Sequence, residues 1–509
     1  MAAPHRIVIL GGGSAGWMTA CLMAARWLSK DAAQPVSITL VESPAIGIIG
    51  VGEGSTPQLK ALFDRLGITE AEWMPACDAT YKLGIRFTGW SERAGYDSYF
   101  HPFPSAIDLH TEGAFAHACR LKRGGIEAPA HPDHWFLPTK LADAKLGPHP
   151  DECFPFEPSY GYHFDAHKLG AFLGDHARGR GVTHVEARIA DVERAASGAI
   201  AALLCEDGRR IEGDLFVDSS GFAALLAERT LGARFLPFAQ NLFNDRAVVM
   251  PTPAAEAPPI ATQATALSAG WAWSIPLTAR TGNGYVYSSR HLSDDAAETE
   301  LRRHLGMLDD PAEARFLKMK VGRLEDSWTA NCLAVGLAQG FIEPLEATAL
   351  HIVIATVEEF ISAYEAGGFA AQHRAQFNAR IARRYEGIRD YIVAHYRLNR
   401  RSGDYWREAA GLDHLSDDLK AMMTAWFTGQ DMDETIARLD IAGFYASASW
   451  HCIFAGYGTF PDDAKLRAPA TPQEQIDAAK ATDFHARCAL NFAPHAEQLA
   501  AWRVPPAPL

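Results

Sequence analysis

The chain has 509 residues, of which 48% are hydrophobic and 21% are charged, a composition suited to a globular protein with a large core. Lysine and arginine number 47 against 61 acidic residues, and the net charge of -14 disfavours nucleic acid and anionic membranes as partners. Neither a signal peptide nor an apolar run of about 18 residues is present, so we expect a cytoplasmic protein that does not enter the membrane.

Cysteine and histidine patterns argue against disulfides and metal ions. The eight cysteines are scattered and none belongs to a Cys-x-x-Cys pair, which favours reduced thiols. His163 and His167 are four residues apart, and His131 lies close to His134 in the sequence, but neither pair has an obvious set of further ligands. We therefore expect no metal site.

A dinucleotide-binding pattern opens the chain. Residues 6–10 predict a short buried strand, after which Gly11, Gly13 and Gly16 fit the motif G-x-G-x-x-G at the start of a helix. The first glycine permits the tight turn, the second lets the main chain approach a pyrophosphate, and the third lets the helix pack closely on the strand. The next strand ends at Glu42, an acid suited to bind ribose hydroxyls.

Strands dominate the middle of the chain. Residues 182–189, 200–205 and 214–218 have β-type patterns, and the sequence EDGRR at 206–210 indicates a hairpin. Residues 261–289 are again strand-like and rich in tryptophan, tyrosine and valine. Together these strands predict a sheet inserted into the nucleotide-binding body.

Helices are predicted for most of the chain after Pro344. The runs 344–366 and 371–397 are long, and a glycine pair at 367–368 separates them. The proline-rich residues 504–509 predict a loose tail.

Two segments favour FAD over NAD as the dinucleotide. Residues 214–222 resemble the segment that precedes the second flavin contact of hydroxylase-type flavoproteins, and residues 331–340 resemble the strand and turn beside the isoalloxazine ring. The chain has no second G-x-G-x-x-G motif, so we expect reduced FAD to come from a separate NAD(P)H-dependent flavin reductase. The expected fold is α/β: a Rossmann-like FAD-binding body of the hydroxylase kind with an inserted sheet, then a largely helical C-terminal part.

Further motifs resemble those of the flavin-dependent tryptophan halogenases. Residues 270–276 read GWAWSIP, the W-x-W-x-I-P segment by which that family is recognised. Five other segments are similar to family segments and follow in the family's order: GVGEGSTP (50–57), YKLGIRFTGW (81–90), YHFDAHKLGAFL (162–173), GFIEPLEATAL (340–350) and RDYIVAHYRLNRRSGDYW (389–406). On these motifs the chain is identified as a member of the family.

The resemblance implies a reaction and a catalytic lysine. A halide and an aromatic ring are both nucleophiles, so the halide must first be oxidised; reduced FAD and oxygen would convert it to hypohalous acid. Lys82 matches the family lysine that receives this acid, either by a hydrogen bond or by becoming halogenated itself. Without the resemblance, a lysine on a strand would most often be a solvated edge charge.

Glu346 matches the family glutamate, which would support the hypohalous acid, stabilise the cationic ring or take its proton. We expect Pro344 in the first turn of the following helix with Glu346 close behind, where the helix dipole favours a carboxylate. On its own, Glu346 would be an ordinary acid at a helix start. Glu343 is expected to be structural.

Thr348 and Ala349 match family positions near the halide, and backbone amides at a helix start suit an anion. The chain departs from the family at Ala347 and Ala349, where serine and glycine are usual. Because Ala347 has no hydroxyl, it cannot support Glu346 as the family serine would. Because Ala349 replaces glycine, we expect the halide affinity to differ from that of the family.

The resemblance also assigns substrate and cofactor contacts. His101 and Phe103 correspond to residues that sandwich an indole, and Trp450 lies where the C-terminal part is expected to close the pocket. The implied cofactor contacts are Gly11, Gly13, Ser14, Ala15, Gly16, Glu42, Gly52, Glu53, Ile189, Gly336 and Leu337.

We therefore expect halogenation, with chloride or bromide, of a small electron-rich aromatic of the indole or tryptophan type, with FADH2 as cofactor and halide as co-substrate. Residues 1–350 are interpreted as a discontinuous FAD-binding and halide-activating body with substrate-facing insertions around 81–160. Residues 351–509 are interpreted as a mainly helical substrate-side region intertwined with it. The resemblance also implies a homodimer.

Two other functions stay open. A flavin-dependent aromatic monooxygenase shares the glycine motif and the sheet, although Lys82, Glu346 and the W-x-W-x-I-P segment together count against it. A flavin-binding protein without turnover is kept open by Ala347 and Ala349. Product mass separates the first alternative from a halogenase, and the effect of halide on the lifetime of the oxygenated flavin separates the second.

Overall fold

The computed structural model describes residues 4–29, 34–45, 50 and 52–502, and the chain forms two compact units. The predicted tail at 504–509 lies outside the described residues. The first unit combines the segments Met1–Asp78, Phe164–Ala239 and Met319–Glu386, and the second combines Ala79–His163, Gln240–Lys318 and Gly387–Leu509. Each unit is thus built from three separate stretches of chain. The sequence-based division at residue 350 follows a different boundary and stays a prediction about function.

A six-stranded sheet lies at the centre of the first unit. Its strands, in spatial order, are Trp328–Thr329, Cys332–Ala334, Leu215–Asp218, His5–Leu10, Val36–Glu42 and Thr183–Glu186. All neighbours run parallel except the first pair, which is antiparallel. Ile7, Val8 and Ile9 are almost fully buried, as the continuous apolar run predicted for a central parallel strand. The predicted Rossmann-like body is confirmed.

Among the described residues, five α-helices belong to the first unit alone: Ser14–Trp27, Gln58–Leu66, Glu70–Ala76, Ala166–Gly179 and Ala349–Ala366. The helix Ser14–Trp27 packs against both Ala166–Gly179 and Ala349–Ala366, which explains why it is buried on most sides. Leu225–Thr230 forms one π-helical turn.

Two small three-stranded sheets are also found among the described residues of this unit. One contains Ile189–Arg194, Ile200–Cys205 and Arg210–Glu212, and the other contains Phe235–Pro237, Gly322–Leu324 and Gly340–Phe341. The hairpin predicted at residues 206–210 is confirmed. The single strand predicted over 182–189 is wrong, because Thr183–Glu186 joins the parallel sheet whereas Ile189 begins a strand of the hairpin sheet.

The second unit contains the predicted inserted sheet, which has seven strands. In spatial order they are Arg315–Lys318, Arg246–Pro253, Arg280–Tyr287, Gly270–Pro276, Thr262–Leu267, Gly84–Thr88 and Ser98–Pro102. All pairs are antiparallel except the parallel pair of Thr262–Leu267 with Gly84–Thr88. Two shorter pairs join Thr80–Lys82 to Gly161–Phe164, and Leu146–Pro150 to Phe492–Pro494.

The helical character predicted after Pro344 is confirmed in the C-terminal segment. The helix Arg374–Leu398 contains the boundary between the last two segments of the chain. The other α-helices of the second unit are Leu109–Arg123, Leu137–Asp143, Asp294–Leu305, Asp404–Ala410, Asp417–Phe427, Met432–Leu439, Ser447–Gly456, Ala478–Ala489 and His495–Ala501. Among the described residues, no helix has both the length and the apolarity that a membrane crossing requires.

Candidate functional site

The glycine loop of the first unit leaves no room for side chains at two of its three motif positions. Gly11 has φ +111°, and a Cβ there would overlap the carbonyl oxygen of Ser219. A Cβ on Gly16 would overlap the carbonyl oxygen of Gly11. Gly13 differs, because the described residues leave the space within 4 Å of its Cβ position open. The outer two glycines are therefore required by the packing of the protein, whereas Gly13 faces free space.

The helix that follows the glycine loop presents its first amides without a side-chain cap. Gly13 is the N-cap residue, and within the described part of the chain neither a capping side chain nor an acid lies in the first turn of Ser14–Trp27. Free amides and the positive end of the helix dipole favour an anionic ligand. The open face at Gly13 and these amides fit the pyrophosphate of FAD.

Glu42 lies at the end of its strand, against the glycine loop. Its side chain occupies the place that a Cβ on Gly12 would take, and its Oε1 is 2.8 Å from Nε2 of His184. The ring of His184 in turn lies 5.2 Å from the ring of Trp17. The structure thus brings the predicted ribose-binding acid to the loop, and it adds His184, which we did not identify from the sequence.

The second predicted cofactor segment also reaches the glycine loop. Gly336 begins the 3-10 turn that includes Leu337; it has φ +59°, and a Cβ there would lie 2.7 Å from Cβ of Ala15. Ser219 holds the loop from the other side, with its hydroxyl within 2.9 Å of the carbonyl oxygens of Leu10 and Gly11. We did not assign Ser219 from the sequence, although it lies in the segment that resembled a flavoprotein.

Asp218, next to Ser219, is buried and accepts hydrogen bonds from the backbone amides of Leu226 and Ala227, both at 2.8 Å. Burial raises the pKa of this carboxyl, and the hydrogen bonds oppose the shift. The backbone amide of Val335 donates to the Asp218 carbonyl oxygen at 2.9 Å. Asp218 therefore connects the strand before Ser219 to the residue before Gly336.

Of the remaining predicted cofactor residues, Gly52 and Glu53 lie on a separate segment, whereas Ile189 packs close to the loop. Gly52 has φ +89° and precedes Glu53, whose pKa is raised to about 7 by burial and by the charge of Asp165. Val51, within the same predicted segment, lies outside the described residues. Ile189 packs against an apolar cluster that includes Leu10 and Val41, the residues just before Gly11 and Glu42.

Glu346 is not in the first turn of the long helix, and the prediction that Pro344 opens this helix is wrong. Pro344–Glu346 is a separate 3-10 turn, which ends because Ala347 has a left-handed backbone with φ 54°. The helix Ala349–Ala366 begins only after this reversal. A left-handed alanine costs about 1 kcal/mol or more relative to glycine. The Glu346 carboxyl, which is buried, is therefore placed by the turn and not by helix geometry.

Thr348 and Ala349 lie at the true start of that helix. Thr348 is the N-cap residue, and among the described residues no side chain caps the helix and no acid lies in its first turn. The backbone amides at this end are thus suited to an anion such as a halide. The left-handed backbone at Ala347 changes the direction of the chain between Glu346 and these amides.

Lys82 is completely buried in the second unit. Its strand, Thr80–Lys82, pairs with residues 161–163, and Lys82 lies opposite Gly161. Its Nζ is 5.4 Å from the centroid of the Phe103 ring, a cation–π distance. Lys82 therefore does not lie at a solvated edge, which is the usual position of a lysine on a strand. Lys82 and Phe103, both predicted from the resemblance, are brought together.

A buried network of hydroxyls and one imidazole lies beside Lys82. Thr80 Oγ1 is 3.1 Å from His163 Nδ1, and His163 Nε2 is 2.9 Å from Thr262 Oγ1. Burial lowers the pKa of His163 well below its ordinary value, and the charges of Lys82 and His495 lower it further. We considered His163 from the sequence only as a metal ligand; among the described residues no cluster suited to a metal ion is found.

The two other predicted substrate residues share one neighbour, Tyr391. Its hydroxyl is 3.3 Å from Nε2 of His101, and its ring lies 4.8 Å from the ring of Trp450. Tyr391 also stacks on Tyr445 with ring centroids 3.5 Å apart. The sequence did not indicate Tyr391, because nothing local distinguishes it from other core tyrosines in its helix.

Comparisons with known proteins identify the family. The model of the tryptophan halogenase family matches residues 6–473. The 7-chloro-L-tryptophan 6-halogenase KtzR of Kutzneria sp. (strain 744) is 35% identical over 98% of this chain and 99% of its own. The tryptophan 7-halogenase RebH of Lentzea aerocolonigenes is 32% identical over 93% of each chain.

Solved structures give the same result. The crystal structure of the tryptophan 6-halogenase SttH from Streptomyces toxytricini has a TM-score of 0.82 at 32% identity and covers 98% of this chain and 100% of that one. BrvH, a flavin-dependent halogenase from Brevundimonas sp. BAL3, has a TM-score of 0.82 at 32% identity, with 98% and 99% covered. These matches confirm the predicted enzyme class, with reduced FAD as cofactor and a halide as co-substrate. The chain belongs to the tryptophan halogenase family.

Proposed function

We propose that this enzyme halogenates an electron-rich aromatic ring of the indole or tryptophan type, with Lys82 and Glu346 as its catalytic residues. The observation that carries the proposal is the complete burial of the Lys82 side chain against the Phe103 ring. Burying a lysine costs free energy, so a lysine in such a place is a candidate for function. The names of the relatives KtzR, RebH and SttH support the substrate class.

When bound, reduced FAD supplies with oxygen the oxidising power that converts a halide to hypohalous acid. The amides of Ser14 and Ala15 and the open face at Gly13 hold the pyrophosphate, and Glu42 binds the ribose. Gly11, Gly16, Gly52, Glu53, Ile189, Gly336 and Leu337 complete the proposed cofactor contacts. The amides of Thr348 and Ala349 hold the halide.

Lys82 holds the electrophilic halogen, as hydrogen-bonded hypohalous acid or as an N-halogenated amine. The ring attacks this halogen, so that a carbon–halogen bond forms while the bond from the halogen to oxygen or nitrogen breaks. Glu346 stabilises the resulting ring cation and accepts the proton that restores aromaticity. The net change replaces a ring hydrogen by halogen and releases water.

On the substrate side, His101, Phe103 and Trp450 provide aromatic faces for an indole, which suit stacking.

A separate NAD(P)H-dependent reductase supplies reduced FAD, since the sequence contains a single dinucleotide motif. We place the enzyme in the cytoplasm, in keeping with eight cysteines that are all unpaired within the described residues. A homodimer, implied by the resemblance, is the assembly that we propose.

The proposal is tested by product mass spectrometry. Purified protein, FAD, a general flavin reductase, NADH and oxygen are given tryptophan, indole, a tryptophan-containing peptide and several phenols, with chloride or bromide in turn. We expect a product with the isotope pattern of the halogen, absent when Lys82→Ala replaces the wild type. A product heavier by one oxygen would contradict the proposal in favour of a monooxygenase. Normal product from Lys82→Ala would contradict the role of Lys82.

A further inference from the structure

Four groups form a continuous buried hydrogen-bond chain in the second unit. Thr262 Oγ1 contacts His163 Nε2 at 2.9 Å, His163 Nδ1 contacts Thr80 Oγ1 at 3.1 Å, and Thr80 Oγ1 donates to the carbonyl oxygen of Pro276 at 2.7 Å. Thr80 and His163 are fully buried and Thr262 is 7% exposed, so solvent offers little competition for these bonds.

Counting protons fixes the tautomer of His163. The Thr80 hydroxyl has one proton, and the Pro276 carbonyl is only an acceptor, so this proton goes to Pro276. Thr80 must then accept a hydrogen bond, which requires a proton on Nδ1 of His163. With its pKa well below 6.5, the ring is neutral and carries one proton, so Nε2 accepts from the Thr262 hydroxyl.

The hydrogen-bond network passes through Thr80, which is two residues from Lys82. Thr80 and Lys82 alternate with Tyr81 on one strand, so the two side chains point to the same face. Pro276 ends the strand of the W-x-W-x-I-P segment, and Thr262 begins the neighbouring strand. The network therefore ties the strand of Lys82 to two neighbouring inner strands of the seven-stranded sheet, at the end of one and at the start of the other.

We propose that His163, as its Nδ1-protonated neutral tautomer, is a positioning residue that fixes Lys82 through Thr80; this inference rests on the proposed role of Lys82. A neutral imidazole also avoids a second positive charge next to the lysine. His163 itself contacts neither halogen nor substrate in this account. Its effect is on how well the amine is aimed, which matters because small misplacements of reacting groups slow the chemical step strongly.

The test compares His163→Leu with His163→Asn, since asparagine can place an N–H close to the position of Nδ1. The measurement is moles of halogenated product per mole of reduced FAD oxidised, together with the substrate KM and the melting temperature. For His163→Leu we expect this yield to fall by about tenfold or more, with KM within about twofold of wild type. His163→Asn should recover most of the lost yield, and both should oxidise reduced FAD at the normal rate.

A second pair of variants covers the case in which His163→Leu does not fold. Thr80→Val keeps the shape of threonine but removes its hydroxyl, and Thr80→Ser keeps the hydroxyl. We expect the valine variant to lose yield like His163→Leu, and the serine variant to keep it. The matched control is His485→Leu, a buried histidine that contacts the Thr111 hydroxyl, which should leave the yield unchanged.

Wild-type yield in folded His163→Leu and Thr80→Val, with no product from Lys82→Met, would overturn the positioning role and leave the proposed function intact. Equal losses in His163→Asn and His163→Leu would also overturn it, because packing and not the Nδ1 proton would then be the cause. Normal yield from Lys82→Met would instead overturn the proposed function.

Discussion

The proposed site of the first unit is formed mainly by main-chain atoms, whereas that of the second unit is formed by side chains. In the first, the main chain makes the cradle: Gly11 and Gly16 leave no room for a Cβ, and a Cβ on Gly336 would lie 2.7 Å from that of Ala15. In the second, the site consists of buried side chains, with Lys82 beside Phe103. A main-chain site should be sensitive to any added Cβ, whereas a side-chain site should depend on single functional groups while folding and FAD binding persist.

The largest effect is expected from Gly16→Ala, which places a methyl group on the Gly11 carbonyl oxygen. Overpacking against main chain cannot be relieved by a side-chain movement, so we expect a loss of stability on the order of 3 kcal/mol together with the loss of FAD binding. Urea unfolding and FAD titration measure both. Normal values for both would contradict the tight packing of Gly16 against the Gly11 carbonyl.

Gly13→Ala separates FAD binding from packing, because its Cβ would point into open space and its φ of -73° suits alanine. We expect unfolding free energy within about 1 kcal/mol of wild type, since the alanine needs no rearrangement. FAD affinity should fall by about tenfold or more, because the methyl group would occupy the approach of the pyrophosphate. An FAD titration that matches wild type would contradict the proposed cradle.

Glu346→Gln tests a side chain of the first unit. We expect product formation to fall by about a hundredfold, since the amide cannot accept the ring proton, with FAD affinity unchanged. Glu343→Gln is the control, as Glu343 is equally buried and three residues away. If both variants lose product equally, the loss results from a disturbed turn and not from the absence of the Glu346 carboxylate.

The last expected effect concerns the pH dependence of stability and Glu53. Burial and Asp165 raise the pKa of Glu53 to about 7 from an ordinary value near 4.5. The folded protein then binds more protons than the unfolded chain between these values, so this group costs stability as pH rises from about 4.5 to 7, on the order of 2 kcal/mol. Glu53→Gln should flatten the dependence of the unfolding free energy on pH, and an unchanged profile would contradict the shift.

The same contrast explains what the sequence predicted. The strand, glycine loop, helix and acid lie within 42 residues, and each is marked by a local pattern, so the cofactor cradle was visible. The network around Lys82 was not, because the bonds of His163 reach across 83 residues to Thr80 and 99 to Thr262. No local pattern records such pairs, and only the family resemblance pointed to Lys82.

The errors have the same origin. Pro344 is a good first residue for a helix, but Ala347 adopts a left-handed backbone that tertiary packing must support, so the helix begins at Ala349. The two units are interleaved, with three segments each, and local periodicity carries no information on which distant segments pack together. The strand-like pattern predicted over 261–289 is confirmed for Trp271 and Trp273, which lie on one strand, because alternation along a strand is a local signal.

The catalytic role of Lys82 is tested most directly by the amount of halogenated product per mole of reduced FAD oxidised in Lys82→Met. Methionine keeps an unbranched apolar side chain in the buried position but removes the amine. The control is Lys122→Met, since Lys122 also lies over aromatic rings, at 5.4 Å from that of Phe460. We predict normal FAD binding and FAD oxidation in both, and loss of product only in Lys82→Met. Product at the wild-type level from a folded Lys82→Met would contradict the catalytic role of Lys82.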